Sequence, residues 1–312
     1  MFPSNIIEIR KTQLYNPNVN STIKIASIGD IHISKLVGIK DIENILQSLN
    51  IIKPDYICFV GDLIDSPTVL FNDKKVYELK YLTEKCGSIA QTMIVLGNHD
   101  FIDKTQQGFL DVFDETSVWN EINDGKSVFV LNDKLHIDND VAFYGYRQKR
   151  NAYYFSGDYK QGSDNFYNDL NAKKEFHQLS QTDKFNVFLG HSPEFLHLPH
   201  VQELLRFSNL CLTGHLHNGC VPYFLDKILP PHIGIITPDK KLFPKNARGI
   251  FKLGAENYLI HGGGYTKISE SAPKIFYPLD AWCTRQIDLI IVSPGIKPSM
   301  ETDKAKLLRL KR

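Results

Sequence analysis

Only five cysteines occur in 312 residues, none in a CxxC spacing, and Cys58 and Cys211 sit inside apolar runs. This excludes a disulfide framework and points to a reducing, cytoplasmic setting. No segment approaches the roughly 20 apolar residues of a membrane-spanning helix. The opening MFPSNIIEIRKTQLYNPNVN has neither an uninterrupted apolar core nor a small-residue cleavage site, so no secretory leader is expected. Charge of one sign is also lacking. Thirty-six Lys and Arg oppose 35 Asp and Glu, a net charge of +1, which gives no footprint for nucleic acid and shows no protein partner. The closing KAKLLRLKR is basic with interleaved leucines. It is expected to be a frayed tail in preference to a peripheral membrane contact. Repeats and low-complexity linkers are absent, so residues 1–312 are expected to form one domain.

What is present begins with alternation. TIKIASIGD reads as a strand, and KDIENILQSLNII places Ile42, Ile45, Leu46 and Leu49 at helical spacing before Pro54. DYICFVGD is the next strand, DKKVYELKYLTEKCG the next helix and TMIVLGNHD the third strand. A βαβαβ order of this kind implies a buried, largely parallel sheet whose strand ends meet along one edge. SVFVLNDKLHIDNDVAFYGYR reads as two or three short antiparallel strands. A polar, aromatic surface excursion is expected around 147–170, then core strands FNVFLGH and NLCLTGH, a loop-rich part around 218–285, and RQIDLIIVS as the final strand.

Five strand-like runs end in polar clusters, each with a glycine before its first polar residue. They are SIGDIH (Asp30, His32), VGDLID (Asp62, Asp65), LGNHD (Asn98, His99, Asp100), LGHSP (His191) and TGHLH (His215, His217). The glycine lets the chain leave the strand sharply and lets backbone approach the edge closely. His215 and His217, at i and i+2, would project on one face at the end of a strand. Carboxylate, amide and imidazole donors without cysteine suit manganese, iron or zinc. They exceed what one ion needs. Two ions about 3.5–4 Å apart, bridged by a carboxylate, would use them all and clamp an in-line displacement at phosphorus.

GDIH, GDLID, GNHD, GH and GHLH, in this order over residues 29–217, resemble the signature of the calcineurin-like metallophosphoesterases. TGHLHNGCVP, RGIF and YLIHGGGY look like the bacterial phosphodiesterase-type branch, with Asn218, Gly219 and Cys220 in place of that branch's Gly-Gly-Gln. The resemblance implies an α/β four-layer sandwich, two mixed β-sheets flanked by α-helices. It implies that Asp30, His32 and His217 bind one divalent ion, that Asn98, His191 and His215 bind the other, and that Asp62 bridges them. Manganese is favoured among manganese, iron and zinc. His99 becomes the catalytic histidine beside the leaving group, oriented by the carboxylate of Asp65; Asn98 stabilises phosphoryl charge and Asp100 supports from behind. The implied reaction is direct attack of metal-activated water, without a covalent enzyme intermediate.

The substrate is less legible. Arg147, Lys149, Arg150, Tyr153 and Tyr154 read either as a phosphate- or base-binding set or as a solvated hairpin. VPYFLDKILPPHIGII reads either as packing for an apolar leaving group or as a segment buried against a second sheet. The leading expectation is hydrolysis of a phosphodiester or pyrophosphate bond in a small organic phosphate, lipid-linked or nucleotide-sugar. A nuclease and a catalytically inactive metal-binding interaction module are the alternatives. Near-zero net charge counts against the first, and the retention of every ligand and of His99 counts against the second.

Overall fold

A computed structural model describes the chain except residues 1–5, 102–114, 150–157, 227, 231, 238–240, 254–256, 263, 267, 269, 271–273, 296–305 and 312. Among the described residues, thirteen strands form two mixed sheets. The first has the order β13-β1-β12-β2-β3-β4-β5, from Lys306–Lys311 (β13), Ile6–Asn16 (β1), Arg285–Pro294 (β12), Ile23–Ile28 (β2), Tyr56–Val60 (β3), Gln91–Val95 (β4) and Val128–Val130 (β5). The second has the order β10-β11-β9-β8-β7-β6, from Gly249–Lys252 (β10), Tyr258–His261 (β11), Leu210–Thr213 (β9), Phe185–Leu189 (β8), Val141–Gly145 (β7) and Lys134–Asp138 (β6).

The continuous apolar runs are explained by burial on both strand faces. In β3, Tyr56, Cys58 and Val60 face the second sheet and meet Phe143, Val187 and Leu212. Ile57 and Phe59 point the other way, toward α1 (Ile39–Ile52) and α2 (Asp73–Ile89), where Ile45, Leu49, Leu79 and Leu82 close the outer layer with Trp119 of α3 (Glu115–Ile122). The second sheet repeats this pattern. Its outward Tyr144, Phe188 and Cys211 pack on Phe166 and Leu170 of α4 (Tyr159–Asn171), Phe176 of α5 (Lys174–Leu179) and Val201 of α6 (Pro199–Leu204). The result is the expected four-layer α/β/β/α sandwich. Complete burial of each Leu, Ile or Phe contributes about 1.5–3 kcal/mol, so the three apolar layers carry most of the driving force.

Several expectations are corrected. SVFV supplies β5, which runs parallel to β4 in the first sheet; of the strands in this stretch, β6 and β7 pair as an antiparallel hairpin. The stretch expected as a surface excursion contains α4, an amphipathic helix capped by Asp158, whose side chain accepts from the Gln161 N–H. Lys306–Lys311 is no frayed tail: it pairs antiparallel with Ile6–Lys11. Among the described residues no helix is long and apolar enough to cross a membrane.

Candidate metal centre

β2, β3 and β4 are mutually parallel in the first sheet, and β7, β8, β9 and β11 in the second. The polar clusters follow these strands, and the two sheets bring them to a single edge. One group of ligand atoms comes from Asp30, His32, Asp62 and His217, and a second from Asp62, His191 and His215; within each, the atoms lie within 4.8 Å of one another. Asp62 belongs to both. Its Oδ2 is 3.7 Å from His32 Nε2 and 3.1 Å from His191 Nε2, whereas its Oδ1 accepts from the His99 backbone N–H at 2.9 Å. One carboxylate oxygen therefore faces both groups.

The backbone reaches this arrangement through left-handed residues. Asp30 (φ 55°), His32 (54°), Asp62 (55°), His215 (67°) and His217 (48°) all have positive φ, a conformation non-glycine residues seldom adopt and one that concentrates at functional sites. His215 and His217 consequently do not share the face of a strand: β9 ends at Thr213, and the two imidazoles enter different groups. The loops after β2 and β3 are tied by Asp30 N–H to Gly61 O and His32 N–H to Asp62 O, both at 3.0 Å. Gly97 lies so close that a Cβ there would stand 2.2 Å from Asp62 Oδ1, and one on Gly61 (φ 88°) would stand 2.3 Å from His191 Nδ1. These two glycines make room for the ligands.

Tautomers follow from backbone acceptors. His191 Nδ1 donates to Val60 O at 2.7 Å and His217 Nδ1 to Thr266 O at 2.8 Å, so each turns Nε2 toward the centre. Asp30 is held by the N–H groups of His215 (2.9 Å) and Gly264 (2.7 Å). Asp100 is fully buried, and its carboxylate accepts from the N–H groups of Asp62, Ile64 and Gly97, which fixes the loop carrying the shared aspartate. Burial, then the charge of Asp62, pushes the Asp100 carboxyl up to about 7.

His99 stands edge-on to His32, ring centroids 4.8 Å apart. Its Nδ1 bonds to the backbone carbonyl of Asp65, not to the carboxylate that was expected to orient it. The Asp65 carboxylate lies 3.3 Å from His32 Nδ1 and accepts from the Glu270 N–H at 2.9 Å. It supports a metal-facing histidine rather than His99.

The residues fit divalent cations. Asp30, His32, Asp62, His191 and His217 are all buried, and the buried Oδ1 of Asn98 has no hydrogen-bond partner, so an acceptor is left for an ion. Burial raises the cost of charge on Asp62, yet His191, His99 and His32 together hold its carboxyl well below the usual range. Burial likewise opposes charge on His191, but Asp62 and Asp30 overcome it and push that imidazole up to about 9. Such a proton occupies the place of a cation, so metal binding releases protons and weakens in acid.

Of the remaining candidates, Arg147 stands over the Phe101 ring at 5.2 Å, and Lys149 is in an ion pair with Asp169. Arg150, Tyr153 and Tyr154 lie outside the described residues. No site role is legible in the sequence for the segment after β11, whose Gly264, Thr266 and Glu270 backbone groups hold Asp30, His217 and Asp65. Its HGGG run after an apolar strand repeats the strand-then-glycine pattern of the other clusters.

The chain is similar to an uncharacterized metallophosphoesterase of Campylobacter jejuni, 23% identical over 83% of this chain and 58% of the relative. It is also similar to the uncharacterized metallophosphoesterase YkuE of Bacillus subtilis, 22% identical over 78% of this chain and 73% of the relative. The chain thus spans little more than half the length of the Campylobacter protein. A solved dimetal phosphatase from Danio rerio aligns with 78% of this chain and 88% of its own at 10% identity and a TM-score of 0.40. The model of the calcineurin-like phosphoesterases matches residues 23–219, from β2 through the ligand histidines. With that match covering more than half its length, the chain belongs to the calcineurin-like phosphoesterase family.

Proposed function

We propose that the chain is a dinuclear metallophosphoesterase that hydrolyses a phosphodiester or pyrophosphate bond of a small organic phosphate, lipid-linked or nucleotide-sugar, in a cytoplasmic setting. The observation that carries the reading is the sharing of Asp62 between two groups of ligand atoms. Asp30, His32 and His217 complete one position, and Asn98, His191 and His215 the other. Two bound divalent ions, manganese in the favoured case, supply polarisation of the phosphoryl oxygens and a nucleophile at neutral pH.

The chain's own groups supply the rest. Asp62 Oδ1, tied to the His99 N–H, couples the shared ligand to the loop of the acid catalyst. His99 Nδ1 is committed to the Asp65 carbonyl, so the protonated ring holds its transferable proton on Nε2. Water attacks phosphorus in line and gives up a proton to solvent, the ester P–O bond breaks, and the departing oxygen takes the Nε2 proton of His99, which solvent then restores. The Asn98 side chain, beside His99, stabilises charge on the phosphoryl oxygens. The buried free thiols of Cys58, Cys86 and Cys211 accord with a reducing compartment.

The test is hydrolysis of bis(p-nitrophenyl) phosphate and p-nitrophenyl phosphate by metal-stripped protein, with manganese, zinc or iron added back singly. Metal-dependent turnover that favours the diester and is lost in Asp62→Asn is expected. Turnover that survives chelation would overturn the proposal.

A further inference from the structure

Large apolar side chains scattered singly over a surface need no explanation, but their concentration does. Of the thirteen large apolar residues exposed among the described residues, eight lie in three segments: 31–41 after β2, 221–248 after β9 and 264–282 after β11. All three leave the edge that holds the metal ligands. Leu36 and Ile39 belong to the first segment; Phe224, Ile228, Leu242 and Phe243 to the second; Ile275 and Trp282 to the third. Ile228 is 75% exposed and Ile275 81%. The apolar run VPYFLDKILPPHIGII is therefore buried only in part: Val221 and Pro222 are covered, whereas Phe224 and Ile228 are presented outward.

These loops are fastened from beneath. The Ile235 N–H donates to Gly219 O at 2.7 Å, Arg248 pairs with Asp226 and donates to Ile233 O, and Tyr223 N–H donates to Trp282 O at 2.8 Å. Phe224 and Trp282 meet edge to face, centroids 6.3 Å apart. The apolar tips are thus held outward by a polar understructure, two residues from the ligand His217 on one side and bonded through Glu270 to Asp65 on the other.

Charge in the same segments is sorted by direction. Among their described carboxylates, Asp226 pairs with Arg248, Asp280 with Arg285, Glu270 accepts from the Lys35 N–H, and Asp41 accepts from the Gly38 N–H. Lys35, Lys40, Lys245 and Lys274 are exposed and make no ion pair with a described residue. Exposed Phe, Trp, Ile and Leu rimmed by uncommitted lysines complement an interface that is apolar below and negative above.

We propose that the catalytic edge docks on the surface of an anionic lipid bilayer, with Phe224, Ile228, Ile275 and Trp282 entering the headgroup boundary and the lysines contacting lipid phosphates. The contact runs through the loops of the catalytic edge rather than the basic C-terminal segment. It opens the metal centre toward phosphate esters at a membrane surface.

The test is co-sedimentation of the full chain with vesicles of equal phosphatidylcholine and phosphatidylglycerol, against vesicles of phosphatidylcholine alone. The mixed vesicles are expected to retain the protein. The double variant Phe224→Ser, Ile228→Ser should lower the apparent affinity about tenfold. Lys245→Glu with Lys274→Glu should weaken retention on the mixed vesicles only. Unchanged thermal unfolding of each variant establishes that the fold is intact; for a variant that unfolds, Phe224→Tyr with Ile228→Thr replaces the apolar pair. No sedimentation with either vesicle, retention unaffected by the apolar pair, or concentration-dependent self-association that the pair abolishes would each overturn the proposal. Binding is read without turnover, so its failure leaves the phosphoesterase reading untouched and the converse holds too.

Discussion

Asp65 holds His99 with its backbone and His32 with its side chain: the His99 Nδ1 bonds to the Asp65 carbonyl, while the Asp65 carboxylate lies 3.3 Å from His32 Nδ1. Division of labour within one residue separates the effect of a side-chain change from the effect on the acid catalyst. A carboxylate behind a ligating imidazole fixes its ring and raises its basicity, and its loss costs about 10–100-fold in metal affinity. Asp65→Asn is therefore expected to weaken metal binding by that order while leaving the Asp65 carbonyl in place for His99. Isothermal titration of stripped protein with manganese checks this; unchanged affinity with reduced turnover would return Asp65 to the support of His99.

His99→Ala is expected to behave in the opposite way. Its imidazole is not needed to complete either group that contains Asp62, so both ions should remain while turnover falls by about 10²–10⁴-fold, the usual worth of a positioned proton donor. The loss should grow with the basicity of the leaving group. A series of aryl diesters of rising phenol pKa, with metal content measured alongside, reads both parts.

Gly97→Ala tests the close approach behind the shared aspartate. The added methyl would stand 2.2 Å from Asp62 Oδ1 and 2.6 Å from its backbone N, so the loop must move. Overpacking of this kind costs about 1–3 kcal/mol, and here the displaced group is a ligand of both positions. Lower stability together with loss of at least one ion is expected in denaturation and metal analysis.

A pair outside the centre sets an acid limit on stability. His197 Nε2 and His261 Nε2 are 2.7 Å apart, one donating to the other, and His261 Nδ1 bonds to Thr213 Oγ1 at 2.9 Å. Burial, then the neighbouring His232, lowers the His197 imidazole from 6.5 to about 4; burial and His197 hold His261 well below its ordinary value. A histidine whose folded-state pKa is depressed binds its proton more readily when unfolded. The contribution of His197 to stability is complete above pH 6.5 and falls as pH drops from 6.5 toward about 4. His197→Gln, which keeps a donor for His261 Nε2, is expected to lose stability less steeply across that window. Urea midpoints measured at intervals from pH 7 downward would show it.

The fold was legible where one short segment carries a whole element. Tyr56–Val60 is buried on both faces and reads as a strand because it is a short run of apolar and aromatic residues with no charge in it; Ile42, Ile45, Leu46 and Leu49 mark the buried face of α1. Val128–Val130 was misplaced because three residues carry no register, and its partner β4 is fixed by tertiary packing. The parallel pairing of β1 with β12 joins Ile7 to Arg285, and no local pattern announces a contact of that span. At the centre, side-chain donors could be found because a glycine precedes each cluster. The acceptors that orient them could not: Val60 O, Thr266 O and Asp65 O are backbone atoms, which every residue possesses.

The sharing of Asp62 is tested most directly by counting ions. Elemental analysis of the protein reconstituted with manganese and passed through a desalting column is expected to give two ions per chain, and no more than one in Asp62→Asn, with diester hydrolysis lost. One ion per chain in the unaltered protein, or two ions and full turnover in Asp62→Asn, would contradict the account.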